Sequence, residues 1–309
     1  MNPTYTPRRE SRSQFLPIRG LNYHVHTWGD PSLVTPECAP LVMVHGWMDV
    51  GASFQFVVDA LAAHEGFDRY VIAPDWRGFG LSDTGGSDSY WFPDYLADLD
   101  TLLDTLLPID HHPHIDLVGH SMGGNVVMSY AGVRPTRIRR LVNLEGFGLP
   151  AAKPHHAPKR LVQWLDELKQ PQSLRDYASV DEVAQRLMKN NPLLPADKAA
   201  WLAPHWSKQA ADGRWHILGD PAHKRANPIV YRVEEILETW KLITAPVLWV
   251  EGDQTDVAKW WGNRYTRAEF QTRLDTVPGV QSALLSPCGH MLHHDQPEAL
   301  AGHLARFLA

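Results

Sequence analysis

The chain predicts an α/β fold: a doubly wound, mostly parallel open sheet interrupted by a helical insertion. Three observations predict it. Apolar runs of strand length alternate with helical patterns over most of the 309 residues, the rhythm of βαβ units. One such run, residues 114–118, passes through Gly119-His120-Ser121-Met122-Gly123 directly into a helical pattern over 125–130. From about residue 148 to 241 the alternation stops and only helical patterns remain.

The elements follow in order. Residues 16–28 read as one or two edge strands. Residues 41–44 are a short buried strand that ends at His45-Gly46. Helical spacing covers 53–64, a strand 70–73 and a helix 95–107. The strand before Ser121, the helix after it, and a strand at 141–144 complete the first half. Helical patterns then occupy 159–169, 180–189 and 197–205, followed by a loop rich in Gly, Asp, Pro and His and a helix at 233–240. The strand–helix rhythm returns at 247–250, 264–274, 283–285 and 297–308. The expected organisation is a core over 1–147, a helical cap over 148–242 inserted after the sixth strand, and the rest of the core over 243–309.

Bulk composition narrows the function classes. A formal charge of −6 gives no reason to expect a nucleic-acid partner. Two cysteines, Cys38 and Cys288, make no disulfide framework and fit a reducing compartment. The first 13 residues carry Arg8, Arg9 and Arg12 and no apolar core, unlike a secretory signal. The longest apolar-looking stretch, 41–63, is broken by Asp49, Gln55 and Asp59 and is no membrane span. A soluble cytoplasmic protein is the expectation. CxxC, HExxH and GxGxxG are absent from the sequence, so neither a metal nor a cofactor is expected.

The chemistry centres on Ser121. Strand, sharp turn with a central serine, helix is the context of a nucleophile elbow. The glycines allow the tight bend, and the helix that follows aims its N-terminal N–H groups at the same spot. A serine hydroxyl needs a base to take its proton. His290, in Pro287-Cys288-Gly289-His290 after the last strand and before the Pro297 helix, lies where a late loop returns to the sheet edge. His293 and His294 just beyond it are assigned solvent or packing roles.

These motifs together resemble the α/β-hydrolase superfamily, in its lid-bearing serine hydrolase and esterase group. The matching residues are His45-Gly46-Trp47, Asp75-Trp76-Arg77-Gly78-Phe79-Gly80-Leu81-Ser82, Gly119 to Gly123, and Gly289-His290 with Pro297. They occur in family order and span nearly the whole chain outside the cap. The resemblance implies an eight-stranded sheet and an oxyanion hole from the backbone N–H groups of Trp47 and Met122. It implies that 75–82 orders a loop near the site, with Arg77 a candidate for substrate contact.

The acid that orients His290 is where the chain departs from the family. The usual position, three residues past the glycine that ends the seventh strand, holds Thr255. Asp256 or Asp253 beside it are alternatives. A second family location, the end of the sixth strand, holds Glu145. Glu145 is taken as the candidate acid, with Asp256 as the alternative.

Serine at the elbow argues against the Asp-nucleophile dehalogenases and epoxide hydrolases of the superfamily. The expected activity is cofactor-independent cleavage of a carboxylic ester or related acyl compound through an acyl-enzyme. C–C bond hydrolysis or acyl transfer on the same triad, or a non-catalytic binding protein on the same fold, are the alternatives. The expected partner is a small apolar or aromatic acyl substrate; no nucleic-acid or membrane partner is expected. Trp164, Trp201, Trp206, Trp215 and Trp240 in the cap, with Trp260 and Trp261, either line a substrate slot or fasten the cap to the core. Trp47 either walls the pocket or packs.

Overall fold

The computed structural model describes residues 4–309. Its centre is an eight-stranded sheet. The strands are β1 (Arg12–Ile18), β2 (Leu21–Trp28), β3 (Leu41–Val44), β4 (Val71–Pro74), β5 (Ile115–His120), β6 (Ile138–Leu144), β10 (Val247–Gly252) and β11 (Val280–Leu285). They lie in the order β1-β2-β4-β3-β5-β6-β10-β11. β1 and β2 pair antiparallel, as do β2 and β4; every other pairing is parallel. β3, β4 and β5 are buried along their whole length. That is why they read as unbroken apolar runs rather than as an alternation.

Helices cover both faces. On one face, α1 (Gln55–Ala62) and α11 (Pro297–Leu308) seal a core with Val57, Leu61, Leu300 and Leu304 against Val118, Val142 and Val250. On the other lie α2 (Phe92–Leu106), α3 (Met122–Val133), α7 (Val233–Trp240) and α9 (Arg267–Leu274), through Leu99, Val126, Trp240 and Phe270. Trp240 belongs to this main core and is 1% exposed.

Between β6 and β10 the chain builds α4 (Ala157–Leu168), α5 (Val180–Asn190) and α6 (Ala196–Trp206). The expectation of a wholly helical segment is corrected here. Three short strands, β7 (Asp176–Tyr177), β8 (Ser207–Gln209) and β9 (Trp215–Ile217), form a small antiparallel sheet in the order β7-β9-β8. The stretch rich in Gly, Asp, Pro and His read as loop contains β8 and β9, joined by a hairpin turn with Gly213 at φ 81°. Strands of two or three residues are too short to show a period. The segment has its own core of Tyr177, Val183, Leu187, Ala199 and Leu202, into which α1 inserts Phe56.

α8 (Ala258–Trp261) and α10 (Leu292–Asp295) are single turns on the loops that follow β10 and β11. No helix among the described residues is long and apolar enough to cross a membrane.

Candidate active site

Three strand ends place the chemistry. Ser121 follows β5, Glu145 follows β6, and the loop after β11 carries His290. Ser121 has φ 53° and ψ −114°, a conformation that costs of order 1–3 kcal/mol for a non-glycine residue. The surrounding packing enforces it. Ser121 N–H donates to Leu144 O at 2.8 Å. A Cβ on Gly119 would lie 2.3 Å from Gly123 O, and one on Gly123 would lie 2.4 Å from Val44 O. Only glycine at both positions lets α3 start this close to β3 and β5.

The side chains converge. Ser121 Oγ is 2.9 Å from His290 Nε2, and His290 Nδ1 is 2.6 Å from Glu145 Oε2. Glu145 is 1% exposed and has φ 55°. Its Oε1 accepts the Gly252 N–H at 2.7 Å, and its Oε2 accepts the Thr255 hydroxyl at 2.9 Å. A buried carboxylate is tolerable because every contact is a charge-assisted hydrogen bond.

The alternative acids lie elsewhere. Asp256 is exposed and accepts Ala258 N–H at 3.0 Å, capping α8. Asp253 is exposed and accepts from Ser286 Oγ at 2.6 Å and Cys288 N–H at 2.9 Å. Neither faces His290. Thr255, which stands where the family acid would, instead donates to Glu145 across the gap. Sequence reasoning saw it only as a departure.

The loop after β3 closes on the elbow. A Cβ on Gly46 would lie 3.0 Å from Ser121 Cβ. The Trp47 and Met122 N–H groups donate to no acceptor among the described residues. His45 braces this loop: its Nδ1–H donates to Gly46 O at 2.7 Å, and its Nε2 accepts the Trp76 N–H at 2.9 Å. Burial holds the His45 imidazole below its ordinary pKa, consistent with a neutral ring that donates on one side and accepts on the other. His120, next to the nucleophile, is also kept neutral by burial and donates through Nε2 to His290 O at 2.8 Å. Neither role was read from the sequence.

Asp75 accepts Gly51 N–H at 2.7 Å and Leu81 N–H at 2.9 Å, which orders the 75–82 loop as expected. Arg77 is corrected. It is buried and bound bidentately to Asp98 of α2, through Nε at 2.5 Å and Nη2 at 2.6 Å, so its guanidinium is not free for a substrate. His293 and His294 are buried, at 0% and 2% exposure. Of the tryptophans, Trp206 donates to Ser53 Oγ at 3.2 Å, Trp164 donates to Ser89 Oγ at 2.6 Å, and Trp201 packs on Phe56 at 5.6 Å. These fasten the inserted segment to the core. Trp260 stands edge-on to the His290 ring at 4.6 Å, and Trp47 is 52% exposed. Ser121 and His290 are themselves half-buried, open to solvent.

A sequence profile of the alpha/beta hydrolase fold matches residues 39–297. The chain belongs to the alpha/beta hydrolase fold family. It is 26% identical to the cis-3-alkyl-4-alkyloxetan-2-one decarboxylase of Shewanella oneidensis over 284 residues, covering 87% of this chain and 81% of that one. It is 28% identical to the 3-hydroxybutyrate-oligomer hydrolase of Cupriavidus necator over 269 residues, covering 83% of each. Among solved structures, the thioesterase domain from the curacin biosynthetic pathway superposes with a TM-score of 0.80 at 27% identity, covering 96% of this chain and 99% of that one. The eight-stranded, mostly parallel sheet is that of the family, and the chain is a hydrolase of this fold.

Proposed function

We propose that this hydrolase cleaves carboxylic esters through an acyl-enzyme formed on Ser121. One observation carries the reading: the continuous contact from Ser121 Oγ to His290 Nε2 at 2.9 Å and from His290 Nδ1 to Glu145 Oε2 at 2.6 Å. A serine, an imidazole and a buried carboxylate in that order let the imidazole deprotonate the serine as it attacks, while the carboxylate orients the imidazole and stabilises its charged form without taking the proton itself. Two relatives, an oligomer hydrolase and a thioesterase by name, support acyl cleavage.

Ser121 Oγ attacks the ester carbonyl while His290 Nε2 takes its proton. Glu145 keeps the His290 proton on Nδ1, so that Nε2 is the acceptor, and stabilises the imidazolium. The carbonyl oxygen becomes an oxyanion held by the Trp47 and Met122 N–H groups. Loss of one such donor costs about 3–4 kcal/mol of transition-state energy in a known case. His290 then gives its proton to the leaving alkoxide. A water, deprotonated by His290, attacks the acyl-enzyme and releases the acid and Ser121. The substrate is a small acyl compound with an apolar or aromatic group. Trp260 beside His290 and the exposed Trp47 beside the oxyanion turn supply apolar surface for it.

The test is labelling with a fluorophosphonate probe, together with turnover of aryl esters of graded chain length. Label on the wild-type chain, none on a folded Ser121→Ala variant, and ester turnover that vanishes with it are expected. A folded wild-type chain that neither labels nor hydrolyses any ester overturns the proposal.

A further inference from the structure

A second cluster of chemistry-bearing side chains lies outside the triad. Asp49, on the loop after β3, faces His293 and His294 of α10, and all three are at most 2% exposed. One donor atom from each lies within 4.8 Å of the others. Asp49 is a buried carboxylate with no Arg or Lys paired to it among the described residues; its one ion-pair partner is His293. A buried charge without a strong partner is costly.

The Asp49–His293 contact is a long hydrogen bond whose span also matches two ligands of one metal ion. Asp49 Oδ2 and His293 Nε2 are 3.3 Å apart. Two ligands of a tetrahedral ion, each about 2.0–2.1 Å from it, are separated by about 3.3 Å. The other carboxylate oxygen is already held: Oδ1 accepts the Val50 N–H at 2.9 Å and the Ser53 hydroxyl. That orients Oδ2 toward its one partner, His293 Nε2, as outer-shell contacts do for a ligating carboxylate. Among the described residues, the enclosed Nε2 of His294 and Nδ1 of His293 have no hydrogen-bond partner; buried nitrogens without partners are uncommon, and an ion bound to His294 would give its Nε2 one.

A neighbouring cluster makes the contrast. His24, His26 and Asp75 are as close together, yet most of their ligand atoms are spent. His24 Nδ1 contacts Asp75 Oδ2 at 2.7 Å, His24 Nε2 contacts Ser13 Oγ at 2.6 Å, and His26 Nδ1 contacts Ser11 Oγ at 3.1 Å. Asp75 accepts two backbone N–H groups as well. An ion there would have to break these bonds. At Asp49 it would break none of comparable quality.

We infer that Asp49, His293 and His294 form a binding site for a divalent transition ion of the zinc class. Two imidazoles and one carboxylate are a borderline-soft donor set that favours such an ion over calcium or magnesium. A water completes four-coordination. The ion ties the loop after β3 to the segment after His290. It neutralises the buried carboxylate and occupies the unpartnered Nε2 of His294.

Cobalt(II) is the probe, added to chelator-stripped full-length protein. The expected result is one ion per chain, the intense visible absorption of four-coordinate cobalt, and displacement by zinc. Zinc at a hundredfold excess over its dissociation constant raises the melting temperature by about 5 °C. Asp49→Asn and His294→Gln each weaken binding at least about 100-fold. His26→Gln and Ser121→Ala leave it unchanged. Absence of stoichiometric binding overturns the inference. So does binding that survives both Asp49→Asn and His294→Gln, or that is lost in His26→Gln. Should both cluster variants fail to fold, the wild-type cobalt spectrum still decides: octahedral, weakly absorbing cobalt refutes the site.

Discussion

Replacing Glu145 by Gln tests the candidate triad most directly. The two side chains have the same shape, so the perturbation is one of hydrogen-bond polarity. The Gln oxygen keeps the place of Oε1, accepting the Gly252 N–H now held at 2.7 Å. The amide nitrogen then stands where Oε2 stood, 2.6 Å from His290 Nδ1. It donates to Nδ1 and drives the histidine proton to Nε2. That nitrogen faces Ser121 Oγ at 2.9 Å and now carries a hydrogen, so it accepts no proton from the serine. Loss of the orienting acid in a serine protease lowers kcat about 10⁴-fold, equivalent to about 5.5 kcal/mol. A similar loss is expected in kcat for an aryl ester, with fluorophosphonate labelling slowed in parallel. The fold is retained, because the Gly252 contact and the packing survive. Asp256→Asn, which touches only the cap of α8, leaves turnover within about twofold. A Glu145→Gln enzyme that keeps a tenth of wild-type kcat, or an Asp256→Asn enzyme that loses more than Glu145→Gln, refutes the assignment.

Three further outcomes follow from particular contacts. Thr255→Val removes the hydroxyl that donates to Glu145 Oε2; a hydrogen bond to a charged group is worth about 1.5–3 kcal/mol, so kcat falls about tenfold or more, and Thr255→Ser restores most of it. Phe56→Ala empties the place where α1 enters the core of the inserted segment beside Tyr5 and Trp201; denaturant melts are expected to show a loss of about 3–5 kcal/mol, and a loss below 1 kcal/mol would mean the segment is held otherwise. Burial pulls His26 and His223 down to about 4 from 6.5, His223 lying between the rings of Phe79 and Tyr90. The unfolded chain therefore binds more protons than the folded one between pH 6.5 and 4. Stability is full above pH 6.5 and falls as pH drops through that window, by up to about 2.7 kcal/mol per pH unit for the pair. Guanidinium melts at pH 7.0 and 5.5 measure it, and a His26→Gln, His223→Gln double variant makes the slope shallower, the other buried histidines such as His45 and His120 keeping part of it; a wild-type chain no less stable at pH 5.5 would contradict the argument.

Much of the scaffold was legible because buried parallel strands and amphipathic helices leave periods in the chain. The helices Val233–Trp240 and Pro297–Leu308 match the ranges their patterns predict, and Gly119 and Gly123 mark the elbow through a steric need that only glycine meets. What escaped has a common cause. β7, β8 and β9 have two or three residues each, fewer than any period requires. Arg77 looks free in sequence because its partner, Asp98, sits 21 positions away on α2.

The acid was ambiguous for a deeper reason. Position along the chain places Thr255, Asp256 and Asp253 together on the loop after β10, and places Glu145 on a different strand altogether. Which carboxylate meets His290 depends on how β6 lies against β10, with Leu144 opposite Val250 and the Glu145 N–H on Val250 O at 3.2 Å. That register brings the end of β6 under the loop after β10, so a carboxylate at 145 and a hydroxyl at 255 meet at 2.9 Å. The two positions are then one unit: an acid on either strand leaves the other free to hold a donor to it. Thr255 is therefore no gap in the motif but the group that makes Glu145 habitable as a buried anion. A chain with both an acid at 255 and Glu145 would bring two carboxylates together in a buried site, where one of them must take up a proton. On this argument Thr255→Asp does not reinforce the site but lowers kcat, and pairing it with Glu145→Gln recovers turnover relative to Glu145→Gln alone. Recovery in the double variant is the signature of exchangeable positions; a double variant as slow as Glu145→Gln would show that the geometry at 255 cannot carry the acid.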